Sequence, residues 1–310
     1  MTKRTLLIII GLLVLLDSAA FFVYLIGNSN SDGKSPIENV FRDSVATVAD
    51  TIPDTLTQDK FDTITRSESF LSLDKMKVGN EFKSMKCMMK IKLIWPVAVN
   101  NNNDLSSLHR ELLSRITSTS SDDVKEALDQ LFEKPEFAHE STRFVATGDD
   151  SDFAPEINKT MQQYRIFPYI STNYLLEMVV LAEKHNGSSL SRYMNIVHYD
   201  RVHHNVISID KIFDLSKSDD ILALVNQRIE AEKMSGTHDN WHETNILPTE
   251  FLLGRKSVVF YLPDGAIAPG GTGLHEISVS NEDLEPYFTR YYSELLANDT
   301  NFVTYDFITL

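Results

Sequence analysis

Only one cysteine, Cys87, stands in the 310 residues. No intramolecular disulfide can form, so the fold must rest on its core. A lipid-anchor cysteine would follow the N-terminal apolar run, and none does. Cys87 lies in an apolar strand pattern and reads as a small core residue rather than a nucleophile. Basic residues are scarce too: 29 Lys and Arg stand against 44 Asp and Glu, a formal net charge of -15. Such a field repels nucleic acid and anionic lipid and favours solubility. No basic stripe reverses it locally, so no nucleic-acid partner is expected.

Catalytic signatures are missing as well. The stretch from Gly265 to Gly273 is glycine-rich, but no Lys-Ser/Thr follows, which excludes a phosphate loop. It reads as a loop needing positive φ. There is no G-x-S-x-G. Carboxylates abound, yet none is set apart as the acid or base of a glycosidase. His238 and His242 are four apart and could share a helix face, while His198, His203 and His204 crowd one region around Asp200. Neither group has the glutamate of a zincin, and strand alternation would put His203 and His204 on opposite faces. The expectation is no enzyme, no metal and no cofactor.

What is present begins with Thr5 to Ile26, an apolar run of Leu, Ile, Val and Phe broken by Asp17. At about 1.5 Å per residue it makes a helix of roughly 33 Å, enough to cross a bilayer core of about 30 Å. Lys3 and Arg4 put the short N-terminus in the cytoplasm, and Phe21, Phe22 and Tyr24 suit the outer interface. A cleaved signal peptide ending near Ser18-Ala19-Ala20 is the alternative. Either way the rest of the chain is exported, inner-membrane anchored in the first case and secreted in the second.

Residues 27–75 are rich in Ser, Asp, Thr and Asn without an apolar period, and read as a flexible acidic stalk. A small pattern recurs there: Asp43-Ser44-Val45, Asp50-Thr51-Ile52, Asp54-Thr55-Leu56 and Asp62-Thr63-Ile64. It reads as a low-complexity linker and also resembles the Asp-Ser/Thr-aliphatic acceptor of Bacteroidetes O-glycosylation.

From Ser84 the composition becomes globular. Met85, Cys87, Met89, Ile91 and Leu93 alternate with Lys86, Met88, Lys90 and Lys92, a strand with one buried face that should end at Ile94-Trp95-Pro96. Asp104 caps a helix to about Ile116 bearing Leu105, Leu108, Leu112 and Ile116, and a second helix starts near Ser121. Gln162 to Val180 predicts a hairpin around Pro168. Asn186-Gly187 predicts a second, between Tyr174–Ala182 and Tyr193–Tyr199. Further strands are expected at Val206–Ile209, Phe251–Leu253, Val258–Leu262, Ala266–Ala268 and Leu274–Val279, with a Pro263-Asp264-Gly265 turn. Helices start at Ser218 and Asn281. Hairpins dominate the connections, which predicts an α+β fold with mixed, mainly antiparallel sheets and packed helices, after an N-terminal transmembrane helix. The expected division is a cytoplasmic tip and anchor at 1–26, the stalk at 27–75, and α+β subdomains at 76–172 and 173–310.

Three stretches carry a family resemblance. They are Lys90-Ile91-Lys92-Leu93-Ile94-Trp95-Pro96 to Ile116, Arg192-Tyr193-Met194-Asn195 through Val206 to Phe213, and Val259 to Gly273 continuing to Leu284. Together, over roughly residues 80 to 296, they resemble the RsiV-like extracellular domain of unknown function. That domain occurs in a lysozyme-sensing anti-sigma factor and beside the catalytic domain of some peptidoglycan deacetylases. The family's glycine-histidine turn is replaced here by His185-Asn186-Gly187-Ser188-Ser189, and its Pro-Tyr-Glu by Pro263-Asp264-Gly265-Ala266. The resemblance implies a non-catalytic binding or sensing module for an envelope protein or glycan; the alternative is an accessory to a glycan hydrolase or deacetylase. Only Met1 to Arg4 precede the apolar run, so holding a sigma factor is not expected of this chain. Candidate ligand contacts are His198, His203, His204, Asp264, Gly270 and Gly271.

Overall fold

The computed structural model describes residues 59–78, 80–117, 121–133, 144–147, 159–186, 189–236, 238–270, 273–299 and 302–305. The expected span at 5–26 and most of the expected stalk lie outside them. Among the described residues no helix is long and apolar enough to cross a membrane.

The fold is mixed α+β, with largely antiparallel sheets and packed helices. An eight-stranded sheet holds β1 (Lys60–Val78), β2 (Glu81–Ala98), β3 (Phe144–Thr147), β4 (Lys159–Thr172), β5 (Leu175–Asn186), β6 (Ser189–Asp200), β7 (Asn205–Ile207) and β11 (Phe302–Thr304). Its order is β3-β1-β2-β4-β5-β6-β7, with β11 on β4. Among the described strands only β2 and β4 run parallel, and two helices, α1 (Ser106–Ser114) and α2 (Val124–Glu133), lie in the crossover between them. A second, three-stranded antiparallel sheet has the order β10-β9-β8, from β8 (Glu250–Leu253), β9 (Ser257–Leu262) and β10 (His275–Ser280). The remaining helices are α3 (Ile209–Ile212), α4 (Ser218–Met234), α5 (Asn281–Leu284) and α6 (Arg290–Asn298).

Alternation sorts the large sheet into two faces. Cys87, Met89, Ile91 and Leu93 of β2, with Leu176, Met178 and Val180 of β5, pack against Leu108 and Leu112 of α1 and Leu128 and Phe132 of α2. The opposite face offers Ile94, Phe167, Val179, Leu181 and Ile196 to Leu252 and Tyr261 of the small sheet. The small sheet's far side buries Phe251, Val258, Phe260 and Ile277 against Ile221, Val225 and Ile229 of α4. Four layers result: helices, large sheet, small sheet, helix.

Several expectations need correction. The stalk does not reach residue 75, since Lys60–Val78 is a strand paired with β2 from Lys60↔Ala98 to Val78↔Glu81. Its core-facing positions include Arg66 and Glu68, which hid the period. Arg66 lies 4.1 Å over the Phe132 ring and donates to Asp129 of α2 at 2.7 Å. The fourth Asp-Thr-aliphatic repeat, at Asp62-Thr63-Ile64, therefore belongs to β1. Pro96 does not end β2. Its residue pairs with Phe61, β4 stops pairing at Leu93, and its carbonyl accepts instead from His109 Nε2 at 2.8 Å. The first hairpin turns at Asn173-Tyr174, not at Pro168, which sits within β4 at a register shift against β5. The boundary expected at 172/173 falls in that turn, and β4 and β5 pair across it, so one sheet spans both expected subdomains. Residues 266–268 form a loop instead of a strand. The last helix is broken after Leu284 by a 3₁₀ turn containing Pro286, and restarts at Arg290, capped by Thr289.

Candidate functional site

The second hairpin forms as expected, with β5 and β6 paired from Leu175↔Asp200 to Asn186↔Ser189. On its other edge β6 meets β7 only at His198, Tyr199 and Asp200. Among the described residues no strand pairs with this edge upstream of His198. Opposite it runs the irregular segment 244–249, which leads into β8. Between them lies a cleft of about 390 Å³, lined by Arg192, Tyr193, Met194 and Asn195 of β6, by residues 244–250, and by Tyr261, Leu262, Pro263, Ala266 and Leu274. Ile246 at its wall is 71% exposed, an unusual position for a large aliphatic side chain.

Both ends of the segment are fastened. Thr244 N–H donates to Asn226 Oδ1 at 2.9 Å, and Asn226 Nδ2 donates back to the Thr244 carbonyl at 2.9 Å. At the other end Glu250 Oε2 accepts from Ile196 N–H at 2.6 Å, while its Oε1 lies 3.8 Å from Arg115, just past the end of α1. Burial pushes the Glu250 carboxyl above its ordinary range; the Ile196 bond and Arg115 pull the other way. Below the cleft Tyr261 stands opposite Glu276 in the ladder, and burial raises Glu276 to about 7. Burial, then the neighbouring Asp264, raises the Tyr193 phenol.

The sequence-predicted candidates divide among three places. His198 is buried between the two sheets, stacked on Phe251 at 4.8 Å, with Nδ1 2.9 Å from Glu177 Oε1. Glu177 is itself fully buried, and the same oxygen accepts from Leu253 N–H at 2.8 Å. His198 thus joins the sheets and is only 5% exposed. His203 and His204 lie in the turn between β6 and β7, not on opposite faces of a strand as expected. His203 Nδ1 is 2.7 Å from Asp200 Oδ2, and His204 has φ 56°. Burial would raise Asp200, but donors from Tyr291, His203 and Val202 outweigh it and hold the carboxyl low. An oriented, exposed imidazole of this kind is the geometry of a general base, yet no hydroxyl or thiol among the described residues hydrogen-bonds it.

Asp264 follows the cleft residue Pro263 and accepts from Gly273 N–H at 3.0 Å, closing the glycine-rich loop. Gly265 and Gly273 have φ of 82° and 88°, as expected of that loop. Gly270 sits within it, and Gly271 lies outside the described residues. His238 and His242 do not share a helix: His238 stacks on Trp241 at 3.8 Å, and His242 is exposed. Among the described residues no group of three or more His, Cys, Asp or Glu could hold a metal ion.

No protein-family model matches the sequence, and no curated protein does. Solved structures do match in shape. A member of the DUF3298 family from Bacteroides fragilis NCTC 9343 superposes with a TM-score of 0.58 over 79% of this chain and 98% of that one, at 16% identity. The chain has the fold of a DUF3298 protein. A DUF3298 family protein from Pseudomonas aeruginosa PAO1 aligns over 76% of this chain and 97% of that one, at 12% identity and a TM-score of 0.48. At such identity the likeness concerns the fold alone, which is that of a domain of unknown function.

Sequence reasoning missed the cleft. An open strand edge is a tertiary fact, and 244–249 has no period to single it out. Glu177 was more legible: it is a lone carboxylate in Leu175-Leu176-Glu177-Met178-Val179-Val180, where a charge needs a buried partner.

Proposed function

We propose that this chain is a membrane-anchored, extracytoplasmic binding or sensing module of the RsiV-like kind, without catalytic activity of its own, and that it engages its ligand in the cleft between β6 and residues 244–249. One observation carries the reading: the cleft is preformed and mostly apolar, of ligand-binding size, with its walls fastened at both ends by hydrogen bonds. The anchor would be Thr5 to Ile26.

Position supports the same reading. Asp59, the first described residue, pairs through its carboxylate with buried Arg201 at 2.7 Å, just past the end of β6. Arg192 is nine residues back from Arg201, about 30 Å along the strand at about 3.3 Å per residue. A tether leaving Asp59 toward the membrane would leave the cleft accessible.

Two measurements test it. A C-terminal alkaline phosphatase fusion should be active, and the full-length chain should stay in membranes through alkaline carbonate extraction; a soluble cytoplasmic product would overturn the placement. In cells, a photo-crosslinking amino acid at Ile246 should give a discrete adduct that the same group at Met234, exposed but far from the cleft lining, does not. Equal adducts from both sites, or none from Ile246, would overturn the cleft as the binding surface.

A further inference from the structure

The main chain of β6 at the cleft is unpaired in a defined direction. In an antiparallel ladder, alternate residues turn both N–H and C=O to the same side. Ile196 N–H points away from β5, because it reaches Glu250 of the facing segment. Met194 and Arg192, two and four residues back, must point their N–H and C=O the same way, into the cleft. Neither has a main-chain or side-chain partner there among the described residues. Met194 is only 6% exposed. A main-chain donor and acceptor left unpaired at so buried a residue are costly, and require water or a ligand.

The edge is also guarded selectively. Glu250 satisfies Ile196, and β7 covers His198 and Asp200. What stays open is one two-residue repeat of strand edge, beside apolar side chains of Ile246, Leu247 and Leu274. An edge of this kind with an adjoining apolar pocket takes an extended peptide as an added strand.

We propose that β6 binds an extended segment of a basic partner polypeptide by strand addition at Arg192 and Met194, with an aliphatic side chain of that segment in the cleft. This rests on the reading of the cleft as the ligand-engaging surface. Charge selects the occupant. A second copy of this chain carries the same net charge of -15. The chain's own leader is acidic too: residues 27–58 hold Asp32, Glu38, Asp43, Asp50 and Asp54 against Lys34 and Arg42. Both occupants are repelled by the domain's field, whereas a basic segment is drawn in, with a salt dependence that reports the attraction.

The test uses the full-length chain and short synthetic peptides alternating lysine with valine, or glutamate with valine. The lysine peptide should bind, slow amide hydrogen exchange at Arg192 and Met194, and weaken with added salt. N-methylation of its main chain along one edge should weaken it by about tenfold or more, and along the other edge should not. Ile246→Asp should abolish binding, at a position exposed enough to leave the fold intact. Binding that Ile246→Asp abolishes, but that leaves both amides unprotected and ignores N-methylation, would overturn strand addition while sparing the cleft. Preference for the glutamate peptide would overturn the basic partner. Absence of binding by either peptide would overturn the inference, and the in-cell adduct at Ile246 would then decide separately whether the cleft reading survives.

Discussion

The two faces of the large sheet solve the same burial problem with different chemistry. Toward α1 and α2 the core is built of aliphatic and aromatic side chains, with Met89, Leu93, Leu108 and Leu112 fully buried. Toward the small sheet a shorter apolar patch surrounds carboxylates: Glu177 under His198 and Leu253, Glu250 under Ile196, and Glu276 beside Tyr261. The difference follows from what is being joined. Helices satisfy their own main chains, so they need only shape and apolar area. The small sheet presents an edge, β8, whose N–H groups need acceptors, and so does the open part of β6. Carboxylates meet that need because each can accept from more than one donor.

The contrast can be broken by substitution, beginning with the apolar face. Leu112→Ala should cost about 3–5 kcal/mol, for lost transfer energy and the cavity left behind. A shift of less than about 1 kcal/mol in urea unfolding would mean that this face is not close-packed. On the polar face, Glu177→Ala should cost about 3 kcal/mol, since it strips His198 and the Leu253 N–H of their shared acceptor. The double change of Glu177→Leu with His198→Leu should recover the part of that loss due to the pair, because a buried pair replaced as a whole by apolar groups is near neutral, while the Leu253 N–H stays without its acceptor. If the double variant is no more stable than Glu177→Ala, the pair is worth more than its apolar substitute.

Glu276 sharpens the comparison through pH. Burial lifts its carboxyl from 4.5 to about 7. An acid that holds its proton more tightly in the folded state stabilises the fold fully below about 4.5. That contribution is lost as pH rises through about 7. The loss is roughly 3 kcal/mol across the window. Glu276→Gln should flatten the stability profile between these values, as measured by urea unfolding at a series of pH; an unchanged slope would remove Glu276 as its source. The smallest effect is expected at the cleft wall. Ile246→Asp should change stability by no more than about 0.5 kcal/mol, since the side chain is already in water. A larger loss in thermal unfolding would make Ile246 a packing residue and not a docking one.

The same contrast explains how far sequence reading reached. On the helix-facing side, one-residue alternation in β2 and the Leu105-Leu108-Leu112 stripe of α1 name the buried side chains directly. The β5–β6 hairpin is written in Asn186-Gly187. Where polar residues take core positions the reading fell short: Arg66 and Glu68, though on the helix-facing side, made β1 look like stalk, and Glu177 with His198 closes an interface that no period announces. Pro168 was read as a turn because proline usually interrupts a ladder, whereas a register shift absorbs it within β4.

By itself the sequence determined the α+β class, most of the element order, the acidic field and the absence of disulfide support. These depend on local periodicity and on composition, which each segment carries without reference to its neighbours. Tertiary structure alone decided that β2 and β4 pair in parallel, that the two expected subdomains share one sheet, and that β7 stops short, so that no described strand covers Arg192 and Met194. The physical reason is that main-chain hydrogen-bonding groups are the same in every residue. Which of them remain unpaired depends on where strands end in space, and no side-chain pattern records that.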